Sequence, residues 1–131
     1  MSRKFRLIDY ILHIEQYARE IPIFLDGVSK EAFIQDLQKQ RAVCMDLINI
    51  GEAAAVMMTH YKEFATQDTS LPWRSMAEMR HKMVHAYYDI DLNIVWETAV
   101  VDIPDILKRI PIAIQAAEVY HNEEGHGSLK R

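Results

Sequence analysis

The spacing of apolar residues is the feature that most limits what this chain can fold into. Apolar side chains recur every three or four positions along most of the 131 residues, and no segment alternates as a half-buried β-strand would. Glycine and proline, which interrupt helices, number only four each. The pattern predicts an all-α fold, an antiparallel helical bundle of four main helices with a kinked or split last helix.

The first half of the chain predicts two helices. The first spans residues 4–19, ends before a connection at Pro22 and Gly27, and is expected to bury one stripe: Phe5, Ile8, Leu12 and Tyr17. Ser29 is a candidate N-cap for a long second helix with its own expected stripe: Phe33, Leu37, Cys44, Ile48, Ala55 and Met58. Around Gly51 the second helix carries glycine and alanine, which predicts close approach of another helix, because a mid-helix glycine costs up to about 1 kcal/mol.

The second half predicts a short third helix and a longer last one. Residues 66–72 contain turn formers, so the third helix is expected to begin at Pro72. It should end near Asp89 or Asp91, either of which can cap the next helix. Beyond that point, prolines at 104 and 111 kink or divide the last helical segment. We expect one domain over residues 1–121 and a flexible tail over residues 122–131.

Composition narrows the class of protein. A net charge of −4 argues against a broad phosphate-coating surface but permits a small basic cleft. No apolar run approaches the roughly 18 residues of a membrane span, and no signal peptide is recognisable, so we expect a cytoplasmic protein without a membrane partner. The single cysteine, Cys44, is expected to be a buried, inert thiol.

The segment "MRHKMVHAYYDID", residues 79–91, holds most of the candidate chemistry. On an ideal helix Arg80 and Tyr87 lie about 20° apart, whereas Arg80 and His85 are separated by about 140°. His81 and His85 share a face. A site that joins Arg80 to His85 therefore needs long side chains, a distorted last turn, or a second copy of the helix across a two-fold axis.

The residues alone leave three interpretations open. In the first, the segment is an ordinary helix end whose cations and histidines interact with carbonyl groups and solvent. In the second, His81 and His85 bind a metal together with Asp89, Asp91 or the distant Glu52. In the third, His85 is a general acid or base and Arg80 clamps a phosphate, for which RNA with its own 2′-hydroxyl is a suitable substrate and no metal is needed.

Four short motifs carry a resemblance to a known family. Arg80, His85 and Tyr87 form an R-x4-H-x-Y motif, which is accompanied by "IGEA" at residues 50–53, "PW" at 72–73 and "DIDLNIVW" at 89–96. Over residues 5–115 the chain resembles the HepT-like branch of the HEPN superfamily of ribonuclease toxins. The motif position after the arginine is more often asparagine, and here it is His81.

The resemblance implies a homodimeric RNA endonuclease that needs no metal and no cofactor, with a composite active-site cleft where two motif helices meet. Arg80 and His85 would be catalytic and would leave a 2′,3′-cyclic phosphate. The family is typically paired with an MNT-type nucleotidyltransferase antitoxin that transfers AMP to the motif tyrosine, here Tyr87. The implied protein is thus the toxin of a type II HEPN/MNT toxin–antitoxin system.

Further residues are candidates around this cleft. Arg74 and Lys82 are possible contacts to RNA phosphates, and Glu52 is a possible orienting residue for Arg80. His81 holds the polar position of the motif. The alternative function is a non-catalytic, dimeric HEPN module that binds a partner nucleotidyltransferase and uses the same motif for recognition.

Overall fold

The computed structural model describes residues 5–84 and 90–129, and the side chains of residues 5–81 and 90–123. The described elements are α1 (Leu7–Phe24), α2 (Lys30–Ile34), α3 (Leu37–His60), α4 (Lys62–Gln67), α5 (Trp73–Val84), α6 (Leu92–Glu97), a π-helical turn (Thr98–Asp102) and α7 (Ile103–Leu129). The main helices are α1, α3, α5 and the continuous stretch from α6 to α7. The predicted all-α bundle with a split last helix is confirmed.

Contacts between helix ends show that the neighbouring helices are antiparallel. At the end of α3, the hydroxyl of Tyr61 donates a hydrogen bond to the carbonyl of Phe5, which lies just before α1 (2.9 Å). Leu7 at the start of α1 lines a groove with His121, which lies in the C-terminal half of α7. Helix α1 therefore packs antiparallel to both α3 and α7.

Helix α1 differs from its prediction in length and in buried face. The helix continues to Phe24 with Pro22 inside its last turn, because Ile21 is fully buried against the bundle. Its buried residues are Leu7, Tyr10, Ile11, Ile14, Ala18 and Ile21. The predicted stripe was only partly right: Ile8 and Tyr17 are partly buried against the core, whereas Phe5 and Leu12 are about two-fifths exposed. The observed stripe keeps apolar spacing to Ile21, whereas the predicted one ends at Tyr17.

The predicted long second helix is in fact two helices. Ser29 caps α2 as predicted, its hydroxyl accepting the N–H of Ala32 (3.1 Å). Asp36 then caps α3 by accepting the N–H of Lys39 (3.1 Å). The buried amide of Gln40 donates to the carbonyls of Phe33 and Ile34 at the end of α2. The predicted helix is divided between α2 and α3 because Asp36 caps the start of α3 and Gln40 hydrogen-bonds the carbonyl groups at the end of α2.

The core face of α3 agrees with the prediction only in part, since Cys44 is buried but most other buried residues were not in the predicted stripe. Leu37 is 59% exposed, and the buried residues are Gln40, Val43, Cys44, Asp46, Leu47, Ile50, Gly51, Ala53, Ala54 and Met57. By length and composition alone, α3 is long and apolar enough to cross a membrane, with a mean hydropathy of 1.4 over its most apolar window. Half of that window is buried in the bundle, and core helices commonly have this composition, so the finding is only weak evidence of a span.

The remaining connections include one helix that was not predicted and one unusual turn. Helix α4 occupies residues 62–67 and shortens the predicted turn region. Asp91 caps α6 as predicted, accepting the N–H of Asn93 (2.9 Å).

A π turn joins α6 to α7. Just before Pro104, the N–H of Ile103 donates to the carbonyl of Thr98, an i→i+5 bond that defines this turn. Helix α7 then runs to Leu129; the flexible tail over residues 122–131 concerns motion in solution and stays a prediction.

Candidate active site at the α3–α5 seam

The start of α5 is anchored by a small polar network. The indole N–H of Trp73 donates to Oδ2 of Asp68 (2.8 Å), and the hydroxyl of Ser70 donates to the same carboxylate. Trp73 is only 4% exposed and its ring packs edge-on against Phe64. Trp73 is therefore a packing anchor for the helix, because its buried ring is not available to stack on a base.

Helix α5 lies on α3 through an unusually short approach at Gly51. A Cβ added at Gly51 would lie 2.5 Å from the backbone nitrogen of Arg80 and 2.6 Å from its Cβ. Met76 and Met79 of α5 are buried in the core, which places Arg80 at the edge of the seam between the two helices. The predicted close approach of another helix to the glycine–alanine segment is confirmed, and the residue it meets is the motif arginine.

The guanidinium of Arg80 is held by Glu52 on α3. The Nη1 atom of Arg80 donates to Oε1 of Glu52 at 3.1 Å, with the two side chains 43% and 59% exposed. The structure thus contains the ion pair that the sequence suggested. Because both groups face solvent, the pair adds only about 0–1 kcal/mol to stability, and its main effect is on the direction of the guanidinium.

The other predicted site residues divide into two groups. Arg74 and His81 are exposed on α5, but Arg74 lies six positions before Arg80, which on an ideal helix is about 9 Å along the axis and about 120° around it. Arg74 lines a groove of about 460 Å³ between α4 and α5. The side chain of Lys82 lies outside the described residues, and so do His85 and Tyr87 entirely.

Neither the buried thiol nor any ligand cluster adds chemistry here. Cys44 is buried, and burial raises the pKa of its thiol, which favours the inert protonated form. In the part of the chain that the structure describes, no three histidine, cysteine or acidic side chains are grouped as a metal would require. The chemistry of the described seam therefore rests on Arg80 and Glu52.

An all-α bundle that presents the arginine of an R-x4-H-x-Y sequence at the edge of its third main helix defines a HEPN-like protein. A family model described as "Ribonuclease HepT-like" matches residues 14–112, which include α1 from its middle onward, all of α3 and α5, and the motif. The chain belongs to the HepT-like ribonuclease family.

Individual relatives agree with this family. The protein named "Probable ribonuclease HepT" from Thermococcus cleftensis is 35% identical over 98 residues, which cover 75% of this chain and 86% of the relative. A protein of Caldanaerobacter subterraneus subsp. tengcongensis, named as a candidate RNase, is 33% identical over 106 residues, or 81% of this chain and 92% of the relative. No solved structure matches the chain. The chain is thus related along most of its length to proteins named as ribonucleases.

Two structural features of α3 were not located from the sequence. The glycine–alanine segment indicated a close helix contact, but spacing within one helix could not show that Gly51 meets Arg80. The burial of Asp46 was missed because the predicted stripe of α3 placed that residue outside the core. Its position four residues before Ile50 was the available signal.

Proposed function

We propose that this chain is the toxin of a type II HEPN/MNT toxin–antitoxin system, a metal-independent RNA endonuclease that uses no cofactor and acts in the cytoplasm. The observation that carries the proposal is the half-exposed Arg80, aimed by Glu52 at the edge of the α3–α5 seam in a chain of the HepT-like ribonuclease family. A guanidinium so placed is accessible to an RNA phosphate, and its planar fork suits that ligand.

Arg80 acts as the phosphate stabiliser. Its pair with Glu52 is solvent-exposed and weak. An incoming phosphate therefore replaces the Glu52 carboxylate, or shares the guanidinium with it, at little cost. Negative charge grows on the non-bridging oxygens as the phosphorus becomes five-coordinate. A fixed cation beside those oxygens stabilises that state more than the ground state, which is the source of the rate acceleration.

His85 acts as the acid–base group. The 2′-oxygen of the RNA gives up its proton to an imidazole and attacks the adjacent phosphorus, while the bond from phosphorus to the 5′-oxygen breaks and that oxygen takes a proton from an imidazolium. The products are a 2′,3′-cyclic phosphate and a free 5′-hydroxyl. The angle of about 140° between Arg80 and His85 on an ideal helix favours a composite cleft in a homodimer, in which two motif helices supply both protonation states.

Neutralisation occurs by AMP transfer to Tyr87 from a cognate MNT-type nucleotidyltransferase. On an ideal helix Tyr87 lies on the stripe of Arg80, about 20° away. The attached phosphate brings negative charge and bulk to that stripe, so it occupies Arg80 and excludes RNA. Tyr88 is about 100° further round and serves as the internal control.

Three further side chains complete the proposed RNA site. Arg74 and Lys82 contact phosphates outside the scissile bond, and His81 holds the motif position next to Arg80. Contacts of this kind add affinity without sequence preference, and they weaken as salt is added because counterion release drives them.

The test is cleavage of a short RNA by the purified, unmodified protein in excess chelator. Parallel reactions use the same RNA with one 2′-deoxy substitution at the cut site, and the Arg80→Ala and His85→Ala variants. Intact mass is recorded for every preparation, because prior AMP transfer would silence the enzyme. Sedimentation measures the oligomeric state, and Tyr88→Phe is the matched control for Tyr87→Phe in the transfer reaction.

We expect chelator-resistant cutting that stops with the 2′-deoxy RNA and falls by at least about 100-fold in either catalytic variant. AMP transfer should be lost in Tyr87→Phe and kept in Tyr88→Phe. Absence of cleavage by dimeric protein of unmodified mass would reject the endonuclease proposal in favour of a non-catalytic HEPN module that binds the nucleotidyltransferase. Cleavage that chelation abolishes would reject the metal-independent mechanism.

A further inference from the structure

The contact between Gly51 and Arg80 is made by backbone rather than by flexible side chains. The nearest atom to a Cβ at position 51 would be the Arg80 backbone nitrogen at 2.5 Å, and the Arg80 Cα would be 3.0 Å away. Rotating a side chain cannot relieve a clash with these atoms. The absent side chain of Gly51 therefore sets how closely the backbone of α5 approaches α3 at the position of the motif arginine.

The next residue along α3 holds the other end of the same side chain. Glu52 accepts a hydrogen bond from the Arg80 guanidinium at 3.1 Å. Two consecutive residues of α3 thus contact Arg80, one at its backbone and one at its charged head. The distance between these two contacts fixes the path of the side chain from the helix to the edge of the seam.

We propose that Gly51 is a positioning residue for Arg80, and that Gly51 and Glu52 together determine where the guanidinium stands. This inference rests on the proposed function, because it assigns Arg80 to phosphate stabilisation. Ordinary van der Waals contact begins at 3.4 Å, so an added methyl group displaces the Arg80 backbone by about 1 Å. Displacements of that size cost about 100-fold in rate when the displaced group acts on the transition state.

The chain offers a matched control for this substitution. Gly27 has a positive φ of 71°, and a Cβ added there would meet nothing within 4 Å. Gly27→Ala therefore strains the backbone of a turn and lowers stability without a contact to Arg80. Comparing Gly51→Ala with Gly27→Ala separates loss of position at Arg80 from general loss of stability.

The experiment has two readouts on full-length protein. The first is kcat and KM for the short RNA at a temperature where circular dichroism shows every variant folded. The second is the ¹⁵N NMR signal of Arg80 Nε, assigned by its loss in Arg80→Lys, which reports the surroundings of the guanidinium without requiring activity. Glu52→Gln is included because its side chain is exposed, so the variant folds irrespective of helix packing.

The expected result is a kcat lowered about 10- to 100-fold in Gly51→Ala with KM within about threefold, together with a shifted Arg80 signal. Glu52→Gln should shift the same signal, and Gly27→Ala should leave both readouts unchanged. Wild-type kcat and an unmoved signal in Gly51→Ala would overturn the inference while leaving the proposed function intact. If Gly51→Ala does not fold, an unmoved signal in Glu52→Gln overturns it.

Failure of the proposed function has a different signature. In that case the wild-type protein does not cleave RNA, and the NMR arm still decides whether Gly51 and Glu52 position Arg80. A shifted signal then supports the positioning role at a site with another use, and an unshifted signal rejects it.

Discussion

The buried carboxyl of Asp46 makes stability fall as pH rises, and removing its charge should abolish much of that loss. Asp46 is 5% exposed on α3, and Oδ2 has no hydrogen-bond partner in the described part of the chain. Burial, with a smaller contribution from Glu20 on α1, raises the pKa of Asp46 from 3.8 to about 7. The neutral acid is therefore the form that suits the folded bundle.

The sign of the effect follows from the proton count. Between pH 4 and pH 7 the unfolded chain loses the Asp46 proton while the folded chain keeps it, so the free energy of unfolding decreases as pH rises. The stabilisation is fully present below the unfolded pKa of 3.8 and is lost by about pH 7. At about 1.4 kcal/mol per pKa unit, the free energy of unfolding falls by at most about 4 kcal/mol over this pH range. Water that enters beside the carboxylate lowers the cost of its charge, so the loss could be as small as about 2 kcal/mol.

The assay is urea unfolding of wild type and Asp46→Asn at fixed protein concentration from pH 5 to pH 8. Asparagine has nearly the same shape, cannot ionise, and can donate an amide hydrogen bond to Glu20. As pH rises from 5 to 8, Asp46→Asn should gain about 1–3 kcal/mol of stability over wild type, whereas the exposed Asp26→Asn should track wild type. Parallel pH profiles for wild type and Asp46→Asn would refute the reasoning.

Three further predictions concern the stability of the helical bundle, and each is measured as a change in the free energy of unfolding by a chemical denaturant. Asp91→Ala removes the N-cap of α6 and should cost about 1 kcal/mol, and Asp91→Ser, which keeps a capping oxygen, should recover most of it. Trp73→Phe leaves the Asp68 carboxylate without its indole donor and should cost about 1–3 kcal/mol, with unchanged stability contradicting the anchor role. Ile110→Ala empties a fully buried position of α7 and should cost about 2–5 kcal/mol, and a loss below about 1 kcal/mol would mean that α7 is not part of the core.

Local capping signals predicted helix boundaries better than apolar spacing predicted buried faces. Ser29 and Asp91 are N-caps as expected, although Ser29 caps the short α2 and not a long helix, because an N-cap depends only on the next three residues. The predicted faces of α1 and α3 were only partly right, because both helices carry more apolar residues than one stripe needs. Which stripe is buried depends on neighbours from distant parts of the chain, and one helix alone does not specify them.

The candidate site was predictable as a motif but not as a geometry. Arg80 and its possible partner Glu52 were named from the sequence, since both stand in short motifs that resemble those of a known family. The backbone contact with Gly51 joins residues 29 positions apart and required the structure. The roles of His85 and Tyr87 stay predictions from the motif.

The π turn at Thr98–Asp102 allows the parts of the helical stretch before and after it to pack against different parts of the bundle. Before it, Trp96 of α6 packs on Phe33 of α2, and after it Ile103 and Ile106 enter the main core. Deleting one residue from the turn would convert it to regular α-helix and rotate one part by about 100° against the other. The number of residues in the π turn therefore matters more than which residues they are. Substitutions in the turn should be tolerated, whereas a single deletion should not.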